Sequence, residues 1–118
     1  MNIEAFRTYC LDKKGVTEEL PFDADTLVFK VMGKMFALCS LKRIPFSANL
    51  KCDPDRAVVL REEHDGAIIP GWHMNKTHWN TCVLEELPPQ LLAELIDHSY
   101  NLVVSKMTKK QQAELAAL

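Results

Sequence analysis

The sequence lacks any apolar run long enough to span a membrane. Of its 118 residues 47% are apolar, yet no uninterrupted apolar stretch reaches the length of about 18 residues that is typical of a membrane-spanning helix. Residues 1–7 also lack the basic cap and following apolar run of a secretory signal. We therefore expect a cytoplasmic protein with no membrane partner.

Cysteine is scarce, and the four residues that occur are scattered. Cys10, Cys39, Cys52 and Cys82 form no C-x-x-C pair. An even count permits two disulfides in a secreted protein, but without a secretory signal we expect four reduced thiols. Cys39 lies within an apolar run and is predicted to be a small core residue.

Motifs that bind phosphate or activate a nucleophile are also missing. With only four glycines, the chain contains no G-x-x-x-x-G-K-[ST], G-x-G-x-x-G or G-x-S-x-G. Asp97, His98 and Ser99 are adjacent in sequence, so on a helix they point in different directions and do not form a catalytic triad. We expect no catalytic residue, no cofactor and no enzymatic activity.

Histidines and one cysteine occur around a predicted hairpin. His64, His73, His78 and Cys82 are spread too widely for a structural zinc site, whose ligands usually come in closely spaced pairs. We therefore expect no metal. A third hypothesis is an enzyme or a small-ligand binder, which requires His73, His78 and His98 to converge on one pocket.

The periodicity of apolar residues predicts one two-layer α+β domain over residues 1–118. Strands joined by short turns indicate a five-stranded antiparallel sheet with the helices packed on one face. The order is α-β-β-β-α-β-β-α, followed by a terminal helical tail at about 108–118. The predicted helices cover 2–12, 53–63 and 88–107, the strands 26–32, 35–41, 46–51, 66–72 and 79–84, and a loop 13–25.

Charge is distributed unevenly although the net charge is only −2 and the pI is near 6.1. Every charged residue in 26–51 is basic, and the only one in 66–84 is Lys76, flanked by His73 and His78. The predicted sheet is therefore basic. Its lysines either contact the phosphates of a nucleic acid or point to solvent, where they prevent edge-to-edge aggregation.

Two tryptophans bracket the last predicted hairpin. If Trp72 and Trp79 are exposed, they are suited to base stacking or to a partner's pocket. Large aromatic residues in strands usually pack, so we expect at least one of the two in the core.

Four blocks carry a resemblance to a known family. They are PF at 21–22 with FKVMGKMFA at 29–37, LKCDP at 50–54, PGWHMNKTHWN at 70–80 and DHSYNLVV at 97–104. Together they resemble the MmcQ/YjbR family of small bacterial proteins over about residues 6–110. One departure is Asp23, which follows Phe22 at a position where the family often has glycine.

The resemblance implies a cytoplasmic α+β fold similar to that of secretion chaperones. The family is commonly described as DNA-binding through two wings, which in this chain correspond to the hairpins around Gly33-Lys34 and Asn75-Lys76. Weak, sequence-tolerant contacts with double-stranded DNA are then expected from seven residues: Lys30, Lys34, Lys51, His73, Asn75, Lys76 and His78. The alternative is a protein-interaction or chaperone-like module, as a monomer or a homodimer.

Overall fold

A computed structural model describes all 118 residues and contains four α-helices and six β-strands. The helices are α1 (Ile3–Leu11), α2 (Pro54–Glu63), α3 (Pro89–Ser105) and α4 (Lys109–Ala116). The strands are β1 (Val16–Glu19), β2 (Thr26–Val31), β3 (Lys34–Ser40), β4 (Ser47–Lys51), β5 (Ile68–Pro70) and β6 (Trp79–Val83), and a 3₁₀ turn covers Leu84–Glu86. None of the helices combines the length and the apolarity that crossing a bilayer requires.

The strands form one antiparallel sheet in the order β1-β2-β3-β4-β6-β5. One face, here called the covered face, packs against the helices around a core of 22 buried residues that includes Phe6, Phe29, Phe36, Leu92 and Ile96. The other face, here called the open face, has a second cluster of only three buried residues, Val28, Leu38 and Trp79. The predicted two-layer α+β fold is confirmed.

The number of strands differs from the prediction, because Val16–Glu19 is a sixth strand within the segment predicted as a loop. Val16 lies opposite Val31, and Glu19 lies opposite Val28. The strand has four residues, two of them glutamates, so its sequence offers little apolar alternation to recognise. It also brings carboxylates into the sheet: Glu19 forms an ion pair with Lys30 at 3.0 Å. The sheet as a whole is therefore less basic than predicted.

Strand β5 is shorter than the predicted 66–72. The chain leaves the strand at Gly71, which packs directly against Trp79. A β-carbon at this position would lie 2.9 Å from the Trp79 carbonyl oxygen, a distance that requires the neighbouring backbone to move. Glycine therefore permits the close approach with which residues 71–78 begin to fold back over the sheet.

Local sequence signals account for most other element boundaries. The Asn2 side chain accepts a hydrogen bond from the Ala5 amide at 2.8 Å and begins α1, as the capping preference predicts. Thr108 and Gln111 form a reciprocal capping box at the start of α4. Between β2 and β3, Met32 and Gly33 both have positive φ, 50° and 79°, which is typical of a tight two-residue hairpin.

All four cysteines are free and buried. Burial raises the pKa of Cys39 and of Cys52 to about 11, and that of Cys82 to about 12. All four belong to the core of the covered face. At neutral pH they are small apolar packing residues rather than nucleophiles.

Candidate functional site

The segment Asp97–Tyr100 attaches α3 to the N-terminal part of the chain. The Asp97 carboxylate accepts hydrogen bonds from the Tyr9 hydroxyl, at 2.8 Å, and from the Lys13 ammonium. The Tyr100 hydroxyl donates to the Lys14 carbonyl at 2.6 Å. These contacts fix α3 against α1 and the loop that follows it.

His98 and Ser99, between Asp97 and Tyr100, attach α3 to the sheet and to α2. Ser99 is fully buried, donates to the Phe36 carbonyl and accepts from the Lys51 amide at 2.9 Å. Nε2 of His98 accepts from the Asp53 amide at 3.1 Å. Asp97, His98 and Ser99 thus point to three different elements and have a structural role, with no triad geometry.

Three lysines from different elements form a group that we call the basic cluster: Lys34, Lys51 and Lys106. Burial lowers the pKa of Lys51, and the positive charges of Lys106 and Lys34 lower it further. None of the three forms an ion pair with a carboxylate. The basic cluster is therefore an uncompensated positive region, which attracts anions.

The two predicted wings lie at this same end of the sheet. Lys34 begins β3 directly after the β2–β3 turn, and Lys51 at the end of β4 lies opposite Trp79, the first residue of β6. Three strand spacings separate the β2–β3 turn from the β5–β6 connection, which is about 14 Å along the sheet. The end of β4 with Lys51 lies between the wings.

The second wing does not project freely. The Arg61 guanidinium bonds to the Lys76 carbonyl, and the Lys76 ammonium lies 3.5 Å from the Gly71 carbonyl oxygen. Asn75 accepts from the Thr77 amide within the loop, at 2.9 Å between its Oδ1 and the nitrogen. These contacts give residues 71–78 a compact form with the Asn75 and Lys76 side chains exposed.

The seven residues predicted to contact DNA have different environments in the structure. Lys30 is paired with Glu19. The His78 carbonyl accepts from the Cys52 amide at 2.8 Å, so the backbone of this residue joins β6 to the segment after β4. His73 has a positive φ of 59° and lies in a separate cleft. Two of the seven belong to the basic cluster, and Asn75 and Lys76 lie at the tip of the second wing.

The cleft lies on the open face, between the second wing and the β3–β4 loop, and has a volume of about 280 Å³. Its floor includes Leu38 and Asn49 of the central strands, and Phe22 and Trp72 stand at its sides. The Arg43 guanidinium stacks on the Trp72 ring, 4.4 Å from the ring centroid. Sequence analysis missed this cleft because its residues come from several separate segments, although Trp72 was a candidate for an exposed aromatic.

The two tryptophans have different environments. Trp79 is 8% exposed and packs with Val28 and Leu38, whereas Trp72 is 49% exposed. The prediction that at least one tryptophan belongs to the core is confirmed.

The histidines do not converge. His73 lines the cleft on the open face, whereas His98 lies on α3, beside the covered face, and bonds to Asp53. No group of three or more histidine, cysteine, aspartate or glutamate side chains is arranged to hold a metal ion. The convergence that a histidine-lined pocket requires is therefore absent.

Comparisons with known proteins identify relatives of this chain. The family model described as YjbR matches residues 11–102. The chain is 44% identical over 94 residues to the uncharacterised protein YbdF of Escherichia coli O157:H7, covering 78% of this chain and 75% of YbdF. It is 29% identical to the uncharacterised protein YjbR of Escherichia coli K12 over the full length of both.

Solved structures of two bacterial proteins are also similar to this chain. The Deinococcus radiodurans protein DR2400 matches with a TM-score of 0.91 and 40% identity, covering 98% of this chain and 88% of that one. A Pseudomonas syringae protein matches with a TM-score of 0.75 and 28% identity, and the match covers 86% of this chain and 98% of the Pseudomonas syringae chain. Because the family model matches well over half of the chain, this protein belongs to the YjbR family.

Proposed function

We propose that this protein is a non-enzymatic DNA-binding module that contacts the phosphates of duplex DNA through the end of the sheet where the basic cluster lies. The observation that carries the proposal is the basic cluster itself: Lys34, Lys51 and Lys106 come from three elements and have no carboxylate partners. When lysines without a carboxylate partner bind the phosphates of DNA, they release its counterions. This release supplies affinity that does not depend on the base sequence.

The spacing of the wings supports the same proposal. The β2–β3 turn and the β5–β6 connection are separated by three strand spacings, about 14 Å, which is similar to the width of about 12 Å of the major groove of B-DNA. Lys34 on one wing and Lys76 on the other are then placed to contact phosphates on both sides of a groove, with Lys51 between them.

Binding is expected to be weak and strongly salt-dependent. Four lysines at this end imply a slope of about −3 to −4 in a plot of log affinity against log salt concentration, since each neutralised phosphate contributes about −0.9. The acidic residues elsewhere, which give the chain its net charge of −2, oppose tighter association.

The test is a fluorescence-anisotropy titration of mixed-sequence duplex DNA at low and at physiological salt. We expect Lys34→Ala/Lys76→Ala to weaken binding clearly at low salt. The matched control is Lys42→Ala/Arg43→Ala, which removes two positive charges from the β3–β4 loop at the opposite end of the sheet and should have little effect. The proposal fails if wild-type protein does not bind at low salt, or if the two double variants weaken binding equally.

A second candidate function is a protein contact. Leu20, Leu41 and Ile44 are exposed by 50%, 41% and 83%, and the Leu41 amide donates to the Asp25 carbonyl at 2.7 Å, which joins the β1–β2 and β3–β4 loops. Exposed apolar side chains grouped in this way are typical of interaction surfaces.

Identical surface patches cover each other in a two-fold symmetric dimer, so we propose a second copy of the chain as the partner for this surface. Sedimentation of wild type and of Ile44→Lys over a range of concentrations tests it. A dimer that the substitution disperses supports the proposal, and a wild-type monomer at every concentration rejects it.

A further inference from the structure

The cleft on the open face has the form of a small-molecule site. Its volume of about 280 Å³ is close to the lower end of the range of about 300–1,000 Å³ that is usual for such sites. Met35, Leu38 and Met74 provide an apolar lining, and a few polar side chains stand among them. A mostly apolar cavity with a small number of oriented polar groups is the usual composition of a ligand pocket.

The aromatic wall of the cleft is held in place although its ring is half-exposed. The Trp72 amide donates to the Thr81 hydroxyl at 2.9 Å, and the Trp72 carbonyl accepts from the Asn49 side-chain amide at 3.2 Å. Thr81 and Asn49 lie opposite each other on adjacent strands and are themselves hydrogen-bonded. The backbone of Trp72 is therefore fixed by the sheet, and its ring is held by the Arg43 guanidinium and by the His73 ring, 3.9 Å away between centroids. Such pre-organisation reduces the entropy that a ligand loses in ordering the cleft.

The charged group of the cleft is Arg43. Its guanidinium lies over the Trp72 ring and has no carboxylate partner, whereas the adjacent Lys42 is paired with Asp25 at 3.1 Å. The Arg43 amide donates to the Ser40 hydroxyl at 3.1 Å, which orders the backbone at this point. An unpaired guanidinium at the edge of an apolar cavity is suited to binding a carboxylate in two parallel hydrogen bonds.

We propose that the cleft binds a small aromatic carboxylate. The aromatic ring lies over the apolar floor between Phe22 and Trp72, and the carboxylate bonds to the guanidinium of Arg43. The binding site rests on Phe22, Arg43 and Trp72, which the DNA-binding proposal does not use, so either proposal can fail while the other stands.

The test is a ¹H–¹⁵N NMR titration of the full chain with indole-3-acetate, a planar aromatic acid, and with indole-3-acetamide, its neutral analogue. We expect the acid to produce saturable shifts of the Trp72 indole N–H and of the Asn49 side-chain amide. The acetamide should bind about tenfold more weakly, because it cannot form charge-assisted hydrogen bonds with Arg43.

Two variants separate the contributions of Arg43 and Trp72 to ligand binding. Arg43→Gln should weaken the acid about tenfold and leave the acetamide unchanged, whereas Trp72→Ala should weaken both. Lys42→Gln, which removes a neighbouring charge outside the cleft, should leave both affinities unchanged.

Four results would overturn the proposal. The first three are the absence of saturable shifts at Trp72 and Asn49, equal binding of acid and acetamide, and shifts of the acid that map to Lys34 and Lys51 instead of the cleft. The fourth is a set of shifts that is confined to Leu41 and Ile44 and depends on protein concentration, which would indicate self-association through these exposed residues.

Discussion

The two faces of the sheet differ in how their side chains are held. On the covered face, 22 buried residues pack beneath the helices, and the contacts of Asp97–Tyr100 fix α3 to four other parts of the fold. On the open face the buried apolar cluster consists of only Val28, Leu38 and Trp79, while Phe22 and Trp72 remain 63% and 49% exposed. Because burial of apolar surface supplies most of the stability, the covered face stabilises the fold, and the open face is available for recognition.

The largest effect should follow from emptying the covered face. Phe36→Ala removes a fully buried ring that packs edge-on against Tyr100 with 5.5 Å between ring centroids. We expect the free energy of unfolding to fall by about 3–5 kcal/mol, measured by urea denaturation. A loss below about 1 kcal/mol would mean that the covered face does not dominate stability.

The next largest effect tests the attachment of α3. Ser99→Ala leaves the Phe36 carbonyl and the Lys51 amide without the partner that Ser99 supplies to both, and we expect a loss of about 1–3 kcal/mol in the free energy of unfolding. The control is Ser105→Ala, since the exposed Ser105 bonds only to the Leu102 carbonyl of its own helix. That variant should change stability by less than about 0.5 kcal/mol, and equal losses in the two variants would contradict the role assigned to Ser99.

The covered face could be predicted from the sequence more completely than the open face. The apolar stripe of α3 and the Asn2 and Asp53 caps are local patterns, and each marks an element that the structure contains. Strand β1 could not be predicted in this way, because Val16–Glu19 is a strand by virtue of its pairing with β2 and not through its own alternation.

The cleft depends on contacts between residues distant in sequence. Trp72 reaches it because residues 71–78 fold back over the sheet, where Thr81 and Asn49 bind the Trp72 backbone. Nothing in the composition of 70–80 specifies that direction, since in a regular strand Trp72 would lie on the same face as Ile68, which packs in the core of the covered face. The basic cluster has the same dependence: Lys106 joins Lys34 and Lys51 only because α3 crosses the sheet.

A smaller effect concerns pH and the second attachment of α3. Burial, followed by the positive charge of Arg56, lowers the pKa of His98 from its ordinary value of 6.5. In the unfolded chain His98 takes up a proton at higher pH than in the folded chain. The contribution of neutral His98 to the free energy of unfolding is therefore complete above about pH 6.5 and is lost as the pH falls through the pKa of His98 in the folded chain.

The urea midpoint of wild type, measured from about pH 5 to pH 8, should accordingly decrease as the pH is lowered, in part because His98 becomes protonated. His98→Gln removes the titrating group, so the decrease over this range should become shallower. An unchanged pH dependence in the variant would show that His98 is solvated in the native state and that its bond to the Asp53 amide is not maintained.

The smallest effect is expected for Trp72, the exposed tryptophan of the open face. Trp72→Ala removes a ring that is 49% exposed and leaves its backbone bonds to Thr81 and Asn49 intact, so we expect a change within about 0.5 kcal/mol in the free energy of unfolding. Trp79→Ala, in the same sheet but 8% exposed, should cost about 3–5 kcal/mol. Comparable losses for the two tryptophans in parallel urea titrations would place Trp72 in the stabilising core and would contradict its assignment as an exposed recognition residue. A much smaller loss for Trp72→Ala than for Trp79→Ala would instead show that the Trp72 ring contributes little to folding. That result is expected if the ring serves in binding.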